Sequence, residues 1–481
     1  MKHSPIFGRR TVGALLLCLV AACGGGPPPV DGPAVLNGTL AYVTSDCRET
    51  AADLSGHQTL RVRRGEREPV VLREIGSQLR ASDGTCTAYG VGQNGSFSVA
   101  GFPLQRLGVS PDGSTVVYEI TDDHLFTVPN AVVPPEEEGI FLVRTDGSDV
   151  RYLGPASREP AFRLAPDPVT PTGLNGSTST FLGFNASGTT VVFPDLGPDG
   201  DGAVATQIFA LDLATGGRTQ LTHLPPKEPC SPYYPTVWPA WFVTEDTVSF
   251  TTCAADEGLA LWTVGADGKS DPVRKPPPVA VQGATFVPTL IITSALSNAF
   301  TLTLPEPAEN PYPYRPNASE LFAQGGDNLL QLTRFNRSET AFGGFLVTGD
   351  NKRITFTASA DPFGTNPHHN CQWFSMDTLG GGLRQLTSFS KGGDSRAGCA
   401  NTAPPGCSIW TWGTDRVNDS ILFASNCDPL GTNPNGEQLF ATRADGTGLW
   451  QLTDARGMVV EADGTISVEL PNPSAYVAPA K

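Results

Sequence analysis

The sequence predicts an all-β chain folded as a single β-propeller of four-stranded blades. Three observations predict it. Four segments end on the same residues, Gln220-Leu221-Thr222, Gln331-Leu332-Thr333, Gln385-Leu386-Thr387 and Gln451-Leu452-Thr453, and a recurring supersecondary unit marks a radial or solenoid repeat. Glycine (53) and proline (43) are abundant and no long amphipathic helical period follows the N-terminus, which reads as many short strands joined by turns. At 481 residues the chain exceeds a usual single domain, a limit that repeat folds pass by adding units.

The repeating unit is clearest between Arg106 and Leu153. An inner strand at Arg106-Leu107-Gly108-Val109 turns on Ser110-Pro111-Asp112-Gly113 into Thr115 to Ile120. A loop then leads to Gly139 to Arg144, a turn on Thr145-Asp146-Gly147-Ser148, and an outer strand at Arg151-Tyr152-Leu153. Pro and Asp early in such a turn and Gly at its end suit type I geometry. Equivalent outer-strand residues are Leu72, Leu153, Leu221, Val273, Leu332, Leu386 and Leu452. Seven outer strands imply seven four-stranded blades.

The ends of the chain point to closure. Gly38 to Val43 resembles a second strand with no inner strand before it, and Gly457 to Glu461 resembles an inner strand with no outer one after it. Joining N- and C-terminal strands in one shared blade removes the open sheet edge. An eight-bladed arrangement, with the C-terminal hairpin as its own partial blade, is the alternative.

Ser-Pro-Asp-Gly before an apolar strand, then an aromatic strand, an Asp-Gly turn and a Leu-Thr end, resembles the TolB-like propeller repeat. The resemblance covers nearly all of residues 35–476 and is strongest in the second and seventh blades. Asn185-Ala186-Ser187-Gly188 and Thr348-Gly349-Asp350-Asn351 replace the turn elsewhere. TolB itself has an α/β domain before its propeller and no lipid anchor, so its partners are not carried over.

The chain opens with a targeting segment, residues 1–22. Lys2, Arg9 and Arg10 precede an apolar run from Val12 to Val20, and Val20-Ala21-Ala22-Cys23 closes it. The run is too short for a membrane-spanning helix. Small residues before a cysteine resemble the bacterial lipobox, which makes Cys23 the lipidated first residue. Residues 23–34, with Gly24-Gly25-Gly26-Pro27-Pro28-Pro29, read as a tether, and residues 35–481 as the propeller. Gly24 lacks the aspartate of an inner-membrane retention signal. The expected location is the bacterial cell envelope, anchored in the outer membrane, on its periplasmic side or the cell surface.

With 48 acidic and 32 basic residues the chain is strongly acidic. Nucleic acid and anionic lipid headgroups are therefore poor partners, and membrane contact is expected through the lipid alone. The chain reads as a monomer.

In a propeller blade, the loop between strands two and three and the loop linking blades emerge on one face. Here that set is long: Thr121 to Glu138, Pro194 to Ala205, Leu296 to Ser319, Ser359 to Asn370 and Ser388 to Gly406. The opposite turns are short. Long loops on a rigid scaffold are where function concentrates. Setting aside Cys18 and Cys23, eight cysteines fall in or beside loops of the elaborated face, and an even number in an exported chain suggests disulfides. Cys230 and Cys407 each precede an inner strand and a serine, while Cys253 and Cys427 each follow a second strand. That parallel suggests Cys230–Cys253 and Cys407–Cys427, leaving Cys371–Cys399 and Cys47–Cys86, among on the order of 100 pairings that eight cysteines allow.

Two insertions nearly repeat, Asp361-Pro362-Phe363-Gly364-Thr365-Asn366-Pro367 and Asp428-Pro429-Leu430-Gly431-Thr432-Asn433-Pro434. Turn formers make them structured loops; the sharper reading makes Asp361, Asn366, Asp428 and Asn433 ligand-binding. Asp195 to Gly202 has a calcium-loop flavour but lacks the oxygen alternation and distal glutamate. Lyases with a TolB-like propeller gather histidines around a metal in the central channel, and by that resemblance His223 is the one candidate. Gly393-Asp394-Ser395-Arg396-Ala397 departs from the nucleophile motif of propeller-bearing peptidases. No residue is assigned to catalysis, and no cofactor or metal is assigned. The expected function is a protein- or glycan-binding scaffold module; the alternative is a propeller enzyme, of polysaccharide lyase or hydrolase type, with its site in the central funnel.

Overall fold

The computed structural model describes residues 33–50, 54–80, 103–121, 130–157, 183–228, 237, 241–275, 285–291, 298–304, 318–325, 328–335, 342–347, 353–367, 369, 371–389, 409–415, 420–425, 430, 438–463, 465–470 and 474–477. Every long regular element among them is a β-strand, and every strand pairing is antiparallel.

Strands β1 (Thr39–Glu49), β2 (Leu54–Arg64) and β3 (Val70–Arg80) begin the first sheet. The second sheet runs β4 (Leu104–Val109), β5 (Thr115–Ile120), β7 (Gly139–Arg144) and β8 (Arg151–Gly154), while β6 (Asn130–Val132) reaches back to pair with β3. The third comprises β9 (Gly183–Phe184), β10 (Thr190–Pro198), β11 (Val204–Asp212) and β12 (Arg218–Gln220). The fourth comprises β13 (Trp241–Thr244), β14 (Thr247–Ala254), β15 (Gly258–Gly265) and β16 (Val273–Arg274). The fifth has β17 (Thr285–Ile291), β18 (Asn298–Leu304), β19 (Ala318–Gly325) and β20 (Asn328–Gln331). The sixth has β21 (Phe342–Val347), β22 (Arg353–Ala358), β23 (Gln372–Asp377) and β24 (Arg384–Gln385). The seventh has β25 (Ile409–Asp415), β26 (Ser420–Ser425), β27 (Gln438–Arg443) and β28 (Trp450–Gln451). β29 (Gly457–Val460), β30 (Ile466–Leu470) and β31 (Ser474–Val477) then return to the first sheet.

Repeated four-stranded meanders with first strand against first strand are the architecture of a β-propeller. Apolar clusters fill the spaces between successive sheets. Leu142, Leu153, Val191 and Leu211 join the second to the third, Ile208, Leu221, Val248 and Phe250 the third to the fourth, and Leu321, Leu332, Ile354 and Phe356 the fifth to the sixth. Trp373, Leu386, Phe423 and Phe440 join the sixth to the seventh. Leu36, Tyr42, Leu422 and Leu452 pack the seventh against the first. Leu153, Leu221, Leu332, Leu386 and Leu452 are members of these clusters, which explains their recurrence: each fills the gap beside its own sheet. Val273, read as their equivalent in the fourth sheet, is exposed instead.

A second repeat lies inside the second, sixth and seventh sheets. An aromatic on the second strand faces an aromatic on the third, stacked at 5.5 Å for Tyr118–Phe141, 5.7 Å for Phe356–Phe374 and 5.5 Å for Phe423–Phe440. Each such cross-strand pair stabilises by about 0.5–1.5 kcal/mol beyond its burial.

The termini meet, but not through the expected strand. β1 is long enough to carry two partners end to end on one edge: β31 beside Thr39–Tyr42 and β30 beside Ser45–Glu49. β31 lies against β4 and β25, the first strands of the flanking sheets. The inner position of the first sheet is therefore taken by β31, a short segment after Pro471 and Pro473 that the sequence analysis does not single out as a strand. Gly457–Val460 forms instead the edge of a hairpin mounted beyond it.

Candidate binding face

The two ends of the strands are built differently. At one end, tight turns close on hydrogen bonds such as Gly113 N–H to Ser110 O at 2.8 Å and Gly446 N–H to Arg443 O at 2.9 Å. Aspartates cap them: Asp146 accepts from the Ser148 hydroxyl at 2.6 Å and from Ser148 N–H at 3.0 Å, and Asp445 from Thr447 N–H at 2.9 Å. These bonds, the Ser148 hydroxyl first, favour the ionised form and hold Asp146 below the usual carboxylate range. Gly147 and Gly446 sit at φ 85° and 86°, which only glycine adopts without strain.

The other end is extended. β1, β2 and β3 have 11 residues each, against 6 in β5 and β7; at about 3.3 Å per residue the first sheet carries roughly 16 Å of additional strand. The Glu49 end of β1, where β30 pairs, leads into the connection between second and third strands. Pro194 to Ala205, expected as a loop, is mostly strand: β10 and β11 stay in register out to Pro198↔Val204. Asp199 closes that hairpin by accepting Asp201 N–H at 2.9 Å and Ala203 N–H at 2.7 Å. Asp195 bonds Arg218 at 2.9 Å. The calcium-like acidic run is thus held by its own backbone and an arginine. Among the described residues no three His, Cys, Asp or Glu groups cluster as metal ligands.

The roots of this end are held by a buried clamp that the sequence reading missed. The threonine of each Gln-Leu-Thr donates its hydroxyl to a buried side chain at the start of the third strand: Thr222 to Gln207 at 2.9 Å, Thr333 to Glu320 at 2.6 Å, Thr387 to Gln372 at 2.8 Å and Thr453 to Gln438 at 2.6 Å. The same hydroxyl accepts the next backbone N–H, as from Ile208 at 2.9 Å and Leu439 at 2.9 Å. The clamp amide then grips the outgoing linker on both sides: Gln372 accepts from Phe389 N–H at 3.0 Å and donates to Phe389 O at 2.9 Å. Gln58 holds Leu104 in the same way, at 2.7 and 3.1 Å. The first glutamine of the motif turns its amide onto the threonine carbonyl, at 2.7 Å for Gln385–Thr387. An offset of 15 residues between clamp and threonine in three sheets, and 13 in the fifth, was the available signal.

Asn366 belongs to this clamp. It is buried, donates to Ala360 O at 3.0 Å and accepts from Gln372 at 3.3 Å, while Asp361 accepts Asn366 N–H at 2.8 Å. The geometry gives this pair a loop-shaping role, with exposed Phe363 at the tip. Asp428 and Asn433 lie outside the described residues. His223 is exposed, between Thr222 and Leu224, both bonded to Gln207 on the third strand; that places it over the outer half of its sheet. Cys23 lies outside the described residues, as do Cys86, Cys230, Cys399, Cys407 and Cys427. Cys47, Cys253 and Cys371 are buried and disulfide-bonded. The Glu228 carbonyl accepts Ala255 N–H at 2.9 Å, which brings the chain leading to Cys230 beside Cys253.

Where the second sheet has no such glutamine, ions replace it. Arg106 on β4 and Glu119 on β5 face each other at 3.4 Å, each with 3% of its side chain exposed. Glu119 accepts Ser157 N–H and so holds the outgoing linker. Burial pushes the Glu119 carboxyl up, with Arg106 opposing. Arg106 also donates to Pro194 O at 3.4 Å, so the pair ties β4 and β5 to the outgoing linker and to β10.

No family model and no curated protein matches the chain. Among solved structures it is similar to an oligogalacturonate lyase from Vibrio parahaemolyticus, at 9% identity over 91% of this chain and 98% of that one, TM-score 0.43. It is also similar to the β-propeller domain of the Trilobed protease from Pyrococcus furiosus, at 10% identity over 73% and 97%, TM-score 0.34. Prolyl oligopeptidase B from Galerina marginata aligns at 9% identity over 85% and 53%, TM-score 0.42. Likenesses this distant say nothing about activity; the fold rests on the chain's own sheets.

Proposed function

We propose that the chain is a lipid-anchored, exported propeller of the TolB-like kind, seven-bladed and closed through its first sheet, whose loop-rich face binds a protein or glycan in the cell envelope. The observation that carries the reading is the asymmetry between the two ends. Short Asp-capped turns finish one, while the lengthened strands β1–β3 and β10–β11, the Asp361–Pro367 loop and the described disulfide cysteines all gather at the other. Rigid roots beneath elaborated segments are what a recognition surface needs. Cys23 is the anchor, the outer membrane the location, and a monomer the working state. Packing of Ala34 and Leu36 into the seventh sheet supports closure. Cys230–Cys253 is the favoured disulfide, with Cys47–Cys86, Cys371–Cys399 and Cys407–Cys427.

The test is a glycan array together with affinity capture from the native envelope, using wild type and a form with Ser359 to Asn370 replaced by a short Gly-Ser turn. Binding lost in the replaced form supports the reading. Retained binding places recognition elsewhere, and depolymerisation of a polysaccharide panel by the purified chain would establish the enzyme instead.

A further inference from the structure

The hairpin β29–β30 occupies an unusual place. Because β30 and β31 share one edge of β1, and β31 is innermost in the disc, β30 and then β29 extend the first sheet inward at the loop-rich end. β29 ends that sheet, with no strand beyond it among the described residues. Glu461 N–H donates to Thr465 O at 2.8 Å. Alternation along an antiparallel ladder then turns Val459 toward β30 and leaves the N–H and C=O of Met458 and Val460 on the open edge.

Natural sheets blunt such edges. Here β8, β12, β16 and β24 each carry an arginine, at 151, 218, 274 and 384. Trp450 of β28 is covered by Ala34 and by Arg63, whose guanidinium lies 4.8 Å from the ring. β29, Gly-Met-Val-Val, has neither device, and Val460 is 66% exposed. Glu461 and Glu469, both ion-paired with Arg456 at 3.1 and 3.3 Å, belong with Asp463 to this hairpin and its turn. Asp46 and Arg48 lie two strands away on β1, so acidic groups outnumber basic ones there.

We propose that the edge of β29 is a docking strand for an extended, basic polypeptide segment of a partner protein, which adds to the first sheet by backbone pairing. This rests on the protein-binding reading above. Unpaired N–H and C=O groups on a strand are matched by another extended backbone, and the acidic surround selects its charge.

The experiment selects a display library of random peptides of about twelve residues against the purified chain, then measures synthetic copies. Enriched peptides should be Lys/Arg-bearing and should lose roughly tenfold or more in affinity on Val460→Lys. Leu330→Lys on β20, another uncharged edge, should leave affinity unchanged. Alternate N-methylation of the peptide should abolish binding, and the amides of Met458 and Val460 should gain exchange protection on binding in the wild type. Enriched peptides indifferent to Val460→Lys and to N-methylation would overturn the docking strand while leaving the loop-face reading intact. Failure to enrich any peptide would overturn it too. A concentration-dependent dimer abolished by Val460→Lys would assign the edge to a second copy of this chain instead.

Discussion

Thr387 Oγ1 donates a 2.8 Å hydrogen bond to Oε1 of the buried Gln372 and accepts Trp373 N–H at 2.9 Å. One hydroxyl thus fixes an outer strand, a third strand and, through Gln372, the linker to the next sheet. Thr387→Val keeps the shape and orphans both partners, so a loss of about 1–3 kcal/mol is expected. Thr387→Ser should recover most of it. Chemical denaturation of the three proteins measures both, and the same ranking is expected at Thr453.

Arg106 and Glu119 form a buried ion pair whose partners differ in what their removal leaves behind. Either single truncation, Arg106→Ala or Glu119→Ala, strands a buried charge and should cost about 3–5 kcal/mol. Arg106→Met combined with Glu119→Leu should cost far less than the sum. Equal additivity in a denaturation cycle would refute the pairing.

Asp46 lies on β1 opposite Glu469 and His57, with Arg48 and Arg456 nearby. One of its carboxyl oxygens is buried without a partner. Burial raises its pKa, and Glu469 adds to that. A carboxyl raised in the folded state binds protons more tightly there than in the unfolded chain, so stability falls as pH rises from about 4 through the raised value. Asp46→Asn removes this titration. Its advantage over wild type should be absent below about pH 4 and constant once Asp46 is fully ionised, as read from melting temperature against pH.

β31 covers the Thr39–Tyr42 half of β1. Truncation after Leu470 should expose that edge, lower the urea midpoint and promote aggregation. Unchanged stability would show that β31 contributes nothing to closure.

Cys253 is disulfide-bonded, and the neighbouring Ala255–Glu228 bond favours Cys230 as its partner. Non-reducing peptide mapping should find that bridge. Cys253→Ser should then cost about 2–4 kcal/mol; a different partner for Cys230 would break the proposed set.

Much of the fold was legible because a repeat states it several times. Leu221, Leu332, Leu386 and Leu452 recur because each fills a gap between sheets, and Asp146 and Asp445 recur because each caps a turn. The clamp was half legible: Thr387 was visible as part of a motif, but Gln372 was not, since its meaning comes from a hydrogen bond across strands. Asn366 could be read from the sequence either as a loop former or as a ligand residue, because turn chemistry and binding chemistry use the same side chains. Its burial and its bonds to Ala360 and Gln372 are visible only in the folded chain.

Local periodicity and turn chemistry, which act over a few residues, were enough for the sequence to determine an all-β chain, its turns and its outer strands. Only the tertiary structure decided that β31 takes the inner place, that β29 is left as an open edge, and that β1–β3 outgrow the other sheets. Those outcomes depend on which distant backbone finds a free N–H and C=O first, and no spacing along the chain records it.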